Sequence, residues 1–379
     1  MRSVAGEHRY TWLASGTDYF SGILGAVEAS QDCICLETYC YTAEDLGKRI
    51  RDALVRARLR GVSVRVLLDA VGSRGLPADF WTPLQSAGAE IRWFNPLALQ
   101  RCWFRDHRKM TVFDRRIAFL GGFNIAAQYE GDGVRTGWRD IGLKIEGPLA
   151  GRLANAFEEM YSRADFRHKL LTGLRRTDAN KVLTSPDHQL LLSGPGRAAS
   201  PIKRALRQDL EEASEVQIIM GYFLPTWRLR RHLLRVAGRG GRVQLILAGK
   251  SDVWLSRLAG QSLYRRFLNR GVEVYEYLPQ ILHAKMIVVD DAVYVGSSNL
   301  DQRSLQINYE LMLRVRDRGL AMGARAIFND SLTQCRRIEK EQWRASRSLW
   351  QRLKQRLAYW LLVRVDPYLA RWFWRRLAD

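Results

Sequence analysis

Short apolar runs rich in β-branched residues alternate along the chain with longer stretches of helical period. Residues 33–39 (CICLETY) and 216–222 (VQIIMGY) are two such runs. Each is followed by an Arg-rich helical stretch and then by a further run, residues 62–69 after Arg60-Gly61 and residues 242–248 after Arg239-Gly240. Runs of this length predict strands. Strands alternating with helices of about 12 to 18 residues predict βαβ units and a mainly parallel sheet.

The pattern occurs twice. Leu13-Ala14-Ser15-Gly16 returns 178 residues later as Leu191-Leu192-Ser193-Gly194, Tyr39 and Tyr222 are 183 apart, and the two Arg-Gly pairs are 179 apart. A near-constant offset means that one unit is present in two copies. The polar residues 176–187, which include Thr177, Asp178, Asn180, Ser185 and Pro186, form the natural seam. The expected fold class is α/β, with two pseudo-symmetric halves, each a mixed, largely parallel sheet flanked by helices. The halves are expected at residues 1–180 and 181–335, followed by an amphipathic helical segment at 336–379.

That last segment has its own chemistry. It carries a net charge of +8 and five of the twelve tryptophans: Trp343, Trp350, Trp360, Trp372 and Trp374. Its period is helical in two pieces, broken near Asp366-Pro367. Trp and Leu interleaved with Arg describe a helix lying in a membrane interface. The alternative is a packing helix whose Arg stems lie along the core.

Composition narrows the partners. The 379 residues are 47% hydrophobic, enough to bury real cores, and 60 Lys and Arg against 39 Asp and Glu give a net charge of +21. Such a charge calls for nucleic acid, a membrane surface or phosphate-bearing substrates. The longest apolar run of the tail is residues 357–363, far short of the 18 or so needed to span a bilayer, so no transmembrane helix is expected. Glu7, Asp18 and Glu28 interrupt the first 30 residues, which argues against a secretory signal. Five cysteines, three of them in one strand-like stretch, read as reduced thiols. No second Cys or His pair completes a zinc site.

The decisive feature comes late in each half. His107-Arg108-Lys109-Met110-Thr111-Val112-Phe113-Asp114 precedes Gly121-Gly122-Phe123-Asn124. His283-Ala284-Lys285-Met286-Ile287-Val288-Val289-Asp290 precedes Gly296-Ser297-Ser298-Asn299. Both are His-x-Lys-x4-Asp followed by a Gly-rich turn and Asn, and chance predicts only about 0.01 copies of the core pattern. On a strand, positions two apart share a face, so each His projects with its Lys. Two such pairs around one point would suit a phosphodiester. The lysines and the amides of Asn124 and Asn299 would hold its non-bridging oxygens, one His would attack phosphorus and the other would protonate the departing oxygen. Such a site needs no metal and no other cofactor.

The duplicated motif resembles the signature of the phospholipase D superfamily, over about residues 10–335. Within it the chain looks most like the bacterial cardiolipin synthases that lack N-terminal transmembrane helices, on the evidence of residues 249–252 (GKSD), Tyr264, residues 275–277 (YEY) and 296–304 (GSSNLDQRS), with Trp138-Arg139-Asp140 and Glu146-Gly147-Pro148 in the first half. The resemblance implies a phosphohistidine intermediate, with His107 as nucleophile and His283 as acid/base. It implies Lys109, Lys285, Asn124 and Asn299 as phosphate ligands, and Glu310 and Asp140 as the acids that orient the rings. Asp114 and Asp290 would be structural. Motif one has Phe123 where motif two has Ser298, so the halves are not equivalent.

The implied reaction is transfer of a phosphatidyl group from phosphatidylglycerol to a second phospholipid alcohol. The implied partners are anionic phospholipids, phosphatidylglycerol and cardiolipin, at the cytoplasmic face of the cell membrane, held peripherally, with no nucleic acid. A phospholipase D hydrolase would use the same residues with water as acceptor. A nuclease of the superfamily would use the same charge, without need of a Trp-rich tail.

Overall fold

A computed structural model of the chain describes residues 2–5, 7–95, 104–164, 180–185, 188–195 and 200–367. The described residues up to 164 form one compact unit and those from 180 onward a second.

The first unit runs β1 (Arg2–Ala5), β2 (His8–Leu13), α1 (Gly16–Ala29), β3 (Cys33–Thr38), α2 (Asp45–Leu59), β4 (Ser63–Asp69), α3 (Thr82–Ser86), β5 (Glu90–Phe94), β6 (Met110–Phe113), β7 (Ile117–Gly121), β8 (Gly142–Glu146) and α4 (Leu149–Arg163). Its strands form one sheet in the order β1-β2-β8-β7-β6-β3-β4-β5. Both faces of this sheet are covered, which is why β3 reads as a nearly unbroken apolar run. Ile34 and Leu36 point into a core made with α1 and α2, where Leu46, Ile50, Ala53, Leu54 and Ala57 recur at helical spacing. Cys35, between them, lies on the other side, where Arg65 of β4 donates to Glu158 of α4.

The second unit runs β9 (Lys181–Thr184), β10 (His188–Ser193), α5 (Pro201–Glu212), β11 (Glu215–Met220), α6 (Trp227–Gly238), β12 (Arg242–Ala248), α7 (Trp254–Leu268), β13 (Glu273–Tyr277), β14 (Lys285–Val289), β15 (Ala292–Gly296), α8 (Gln302–Gln306), β16 (Glu310–Arg316), α9 (Arg318–Leu332), β17 (Cys335–Arg337), α10 (Lys340–Ala345) and α11 (Leu349–Trp360). Its sheet order is β17-β13-β12-β11-β14-β15-β16-β10-β9. Apart from the added edge strands, the order β2-β8-β7-β6-β3-β4-β5 repeats as β10-β16-β15-β14-β11-β12-β13.

The sheets are mixed α/β sheets as expected, but antiparallel pairing predominates over the largely parallel arrangement predicted. Parallel pairing is confined to β3-β4-β5 and β11-β12-β13. The motif strands cause the difference. Only residues 114–116 separate β6 from β7, and only residues 290–291 separate β14 from β15. Connections that short join only antiparallel neighbours.

Register also corrects the repeat offset at one place. Ile34 pairs with Phe113, and Val216 with Val289, so β3 and β11 are 182 residues apart. Tyr39 therefore corresponds to Gly221, and Tyr222 to Cys40, rather than to each other.

Residues 336–367, read from sequence as the start of a segment apart, are continuous with the second unit. Strand β17 pairs antiparallel with β13. Helix α11 begins at a Ser348–Gln351 capping box and packs along α7. There Ala358 is buried against Leu224 and Ala259, and Gln355 Nε2 donates to Gln261 Oε1 at 3.3 Å. Trp343 lies on the core with its ring 5.0 Å from that of Tyr264. The outer side of α11 carries Leu349, Trp350, Leu353, Leu357 and Trp360, each more than half exposed. Trp372 and Trp374 lie outside the described residues, as does Cys102. Cys33, Cys35 and Cys40 are free thiols, and burial raises their pKa values, that of Cys35 to about 12. Among the described residues no helix is long and apolar enough to cross a membrane.

Candidate active site

The first half-site gathers where β3 ends and β6 begins. His107 and Lys109 lie just before β6 rather than within it. They meet through the main chain: Lys109 Nζ donates to the His107 carbonyl oxygen at 2.7 Å. Tyr39, one residue beyond β3, closes the group. Its ring stands edge-on to His107 at 5.0 Å, and Lys109 Nζ sits 5.3 Å from its centroid. Asn124 follows β7 and is buried; its Oδ1 accepts from Cys40 N at 3.1 Å and its Nδ2 donates to the Tyr129 hydroxyl at 2.7 Å. These two bonds fix the amide while leaving one N–H for a further acceptor.

The second half-site repeats the plan with a closer pair. Lys285, the first residue of β14, is fully buried. Its Nζ lies 2.9 Å from His283 Nδ1 and 3.2 Å from Nε2, and it also donates to the His283 carbonyl oxygen. Tyr222 stands edge-on to His283 at 6.0 Å, and its hydroxyl bonds to Asp252 at 2.6 Å. Asn299 is buried with Oδ1 lacking a partner among the described residues. An orphaned buried amide atom is costly, and rotating the amide would present its NH2 at the same point.

The acids come in by register. Gly122 N donates to Ile141 O at 3.2 Å, and Ser297 N to Leu311 O at 2.9 Å, so Asp140 and Glu310 each precede the matching residue of a paired strand. Both acids are buried. Around them the halves diverge. Ser297 Oγ donates to Glu310 Oε2 at 2.5 Å and accepts from Leu311 N at 3.0 Å, which pins the carboxylate. Its counterpart, Gly122, has no side chain, and a Cβ there would fall on the Asp140 carboxylate. Ser298, whose hydroxyl stood out in the sequence, instead donates to Asn299 O at 3.1 Å. Phe123 in its place stacks on Tyr19 with centroids 4.3 Å apart.

The motif aspartates do different work. Asp114 and Asp290 close β6 and β14 in the left-handed region, with φ of 49° and 48°. The Asp114 carboxylate accepts from the backbone N–H groups of Gln31, Asp32 and Cys33, and Asp290 from those of Ser214 and Glu215. Burial would raise the pKa of Asp114, but its three backbone donors outweigh that and hold it below the usual carboxylate range. Both aspartates latch the entry to β3 or β11, and the bonds described for them involve no motif His or Lys.

Comparison with known proteins fits this geometry. The family model described as "Cardiolipin synthase, PLD-like domain" matches residues 23–161 and 206–332. Cardiolipin synthase B of Escherichia coli (strain K12) is 32% identical over 375 residues, covering 95% of this chain and 89% of that protein. The major cardiolipin synthase ClsA of Bacillus subtilis (strain 168) is 30% identical over 350 residues, covering 90% and 72%. The chain belongs to the phospholipase D-like cardiolipin synthase family. Its fold is also that of a solved phosphatidylserine synthase from Haemophilus influenzae Rd KW20, with a TM-score of 0.76, 15% identity and coverage of 95% and 94%.

One cluster near the family motif was not read from the sequence. In the first unit Arg108 pairs with Glu37 at 3.0 Å, and its backbone N–H donates to Asp106 at 3.2 Å. Arg105 pairs with Asp69 at 3.2 Å, and Asp106 N donates to Asp69 at 2.9 Å. All five side chains are buried. Burial raises Glu37 well above the usual carboxylate range; Arg108 opposes this and Asp106 adds to it. Burial likewise raises Asp106 against Arg108, and raises Asp69 to about 6 against Arg105. The pairs join residues dozens of positions apart, so no local pattern announced them. Tyr39 and Tyr222 were also missed as site residues, although their place at the ends of repeated strands was a visible signal.

Proposed function

We propose that the chain transfers a phosphatidyl group from phosphatidylglycerol to the free hydroxyl of a second phospholipid, giving cardiolipin and glycerol when both are phosphatidylglycerol. His107 attacks phosphorus, the bond from phosphorus to the glycerol oxygen breaks, and His283 gives that oxygen its proton. His283 then takes the proton of the acceptor hydroxyl, whose oxygen attacks phosphorus and frees His107. Lys109, Lys285, Asn124 and Asn299 hold the non-bridging oxygens and stabilise their charge in the transition state. Asp140 and Glu310 orient the imidazoles. Asp114 and Asp290 serve the fold. The observation that carries this reading is the duplicated His–Lys pair, each followed in register by a buried Asn and a buried acid.

The exposed apolar stripe of α11, flanked by Arg352, Lys354 and Arg356, supports peripheral attachment to the cytoplasmic leaflet. Trp350 and Trp360 would enter the interface, whereas Trp343 serves packing; for Trp372 and Trp374 the same membrane role rests on sequence alone.

Mass spectrometry of products from pure phosphatidylglycerol vesicles tests the reaction. Cardiolipin and glycerol are expected. Phosphatidic acid without cardiolipin would establish the hydrolase instead, and cleavage of DNA with no lipid product the nuclease. Quenching His283→Ala with denaturant at alkaline pH, where a phosphorus–nitrogen bond survives, should trap labelled phosphatidyl on His107. Label on His283 in His107→Ala would reverse the roles.

A further inference from the structure

A basic groove of about 610 Å³ lies on the second unit and shares no residue with the catalytic set. It runs between α6 and the end of α7 and is lined by Trp227, Arg230, Arg231, Arg235, Arg266 and Arg270. Arg231 and Arg235 are one turn apart on α6, as are Arg266 and Arg270 at the close of α7. Among the described residues none of these five arginines forms an ion pair with a carboxylate. Arginines of similar exposure elsewhere in this unit do: Arg242 with Glu273, Arg316 with Asp209 and Arg336 with Glu276. The groove therefore concentrates uncompensated positive charge.

Two of its arginines also rest on aromatic rings. The Arg231 guanidinium lies 5.5 Å from the Trp227 ring, and that of Arg230 lies 5.5 Å from the Tyr359 ring. Among the described residues Arg230 Nε is buried without a hydrogen-bond partner. The field is felt by His232 on the same helix. Burial lowers its pKa first, and Arg235, Arg207 and Arg231 lower it further against Glu211.

Trp227 and Arg230 also line a second groove, of about 760 Å³, whose other walls are Tyr359, Trp360, Val363, Arg364 and Val365. A charged trough thus opens into an aromatic and aliphatic one, and Trp360 joins it to the exposed stripe of α11. An occupant that matches both is an amphiphile with a phosphate at one end and hydrocarbon at the other. Free phosphate would leave the apolar groove without a role, and so would nucleic acid.

We propose that these joined grooves bind an anionic glycerophospholipid of the membrane, its phosphate among the arginines and its glycerol and upper acyl chains against Trp227, Tyr359 and Trp360. The site is accessory: it docks the enzyme and takes no part in phosphoryl transfer.

The test compares two variants of the full chain with equal net charge. Arg235→Gln/Arg266→Gln/Arg270→Gln removes three of those five groove arginines. In Lys48→Gln/Arg74→Gln/Lys340→Gln three exposed cations outside it are removed. At about 1 kcal/mol per basic residue near an anionic leaflet, the groove variant should bind phosphatidylglycerol vesicles at least tenfold more weakly, and the control should stay within about twofold of the parent. Trp227→Ala should weaken vesicle binding without changing circular dichroism. Turnover of a short-chain, monomeric phosphatidylglycerol should be unchanged in every variant. Equal loss of binding in both triple variants would show a general charge effect and overturn the site. Displacement of vesicles by millimolar inorganic phosphate would make it a free-anion site, and equal affinity for phosphatidylcholine vesicles would remove the role of charge. Duplex DNA binding that the groove variant alone loses would assign it to nucleic acid. Because binding is read apart from turnover, these outcomes do not depend on the catalytic scheme.

Discussion

The two histidines sit on the same backbone plan in opposite surroundings. Around His107 the first unit buries Glu37, Asp69, Arg105, Asp106 and Arg108. By register and motif position the second unit puts Ile219, Ala248, Ile281, Leu282 and Ala284 in their places. The chain beside one histidine is braced by a network of ionisable side chains, and the matching positions beside the other are hydrocarbon. Fixed dipoles and charges set geometry and potential without reorganising, whereas hydrocarbon supplies rigidity but no field. A duplicated fold can therefore keep its chemistry and still give each copy a separate task. That asymmetry suits a reaction in which one histidine bonds to phosphorus and the other only moves protons.

The largest expected effect concerns the acids. If Glu310 orients the His283 ring as proposed, Glu310→Gln should lower kcat roughly a thousandfold, with little change in KM or in the unfolding midpoint. A loss confined to KM would refute the positioning role. Next is Arg108→Ala, which removes the cation paired with the buried Glu37 carboxyl and should cost about 1–3 kcal/mol in denaturant unfolding. Installing the second unit's residues, as Glu37→Ile/Asp106→Leu/Arg108→Ala, should recover most of that stability but not the activity. If activity returned as well, the network would be dispensable to the chemistry.

A smaller effect separates the two carboxylate supports. Gly122→Ser collides with Asp140 and should cost about 1–3 kcal/mol, whereas Ser297→Gly should fold normally and lose about tenfold in kcat for want of one hydrogen bond to a charged group. The smallest is a pH effect. Asp69 is raised to about 6 when folded, so the native state keeps a proton that the unfolded chain releases near pH 4. Its contribution to stability is present at low pH and is lost as pH rises through 6. From pH 7 to 5 the chain should gain about 1 kcal/mol from this group, and Asp69→Asn should flatten the slope. An unchanged slope would place the titration elsewhere.

The sequence carried the α/β class and the duplication, because strand runs and offsets are local patterns. It carried the His, Lys and Asn of each motif for the same reason. It did not carry the sheet's direction, which depends on hairpins as short as residues 290–291. Nor did it show that each His stands just outside its strand, or that Ser297 rather than Ser298 meets Glu310. The network around His107 was least legible, since Arg105, Asp106 and Arg108 look like ordinary surface charge until Glu37 and Asp69 are brought beside them.

The latch made by Asp114 and Asp290 gives the motif a second meaning, as a ruler. The residues from Lys to Asp are the length of one short strand, about 16 Å at 3.3 Å per residue. One end is fixed to the catalytic edge of the sheet and the other to the opposite edge through the first residues of β3 or β11. Adding or removing one residue between them would release the latch or turn the lysine to the wrong face. The spacing of the motif thus records a dimension of the fold, and its two ends report on different properties: the first on reaction rate, the last on whether the sheet closes at all.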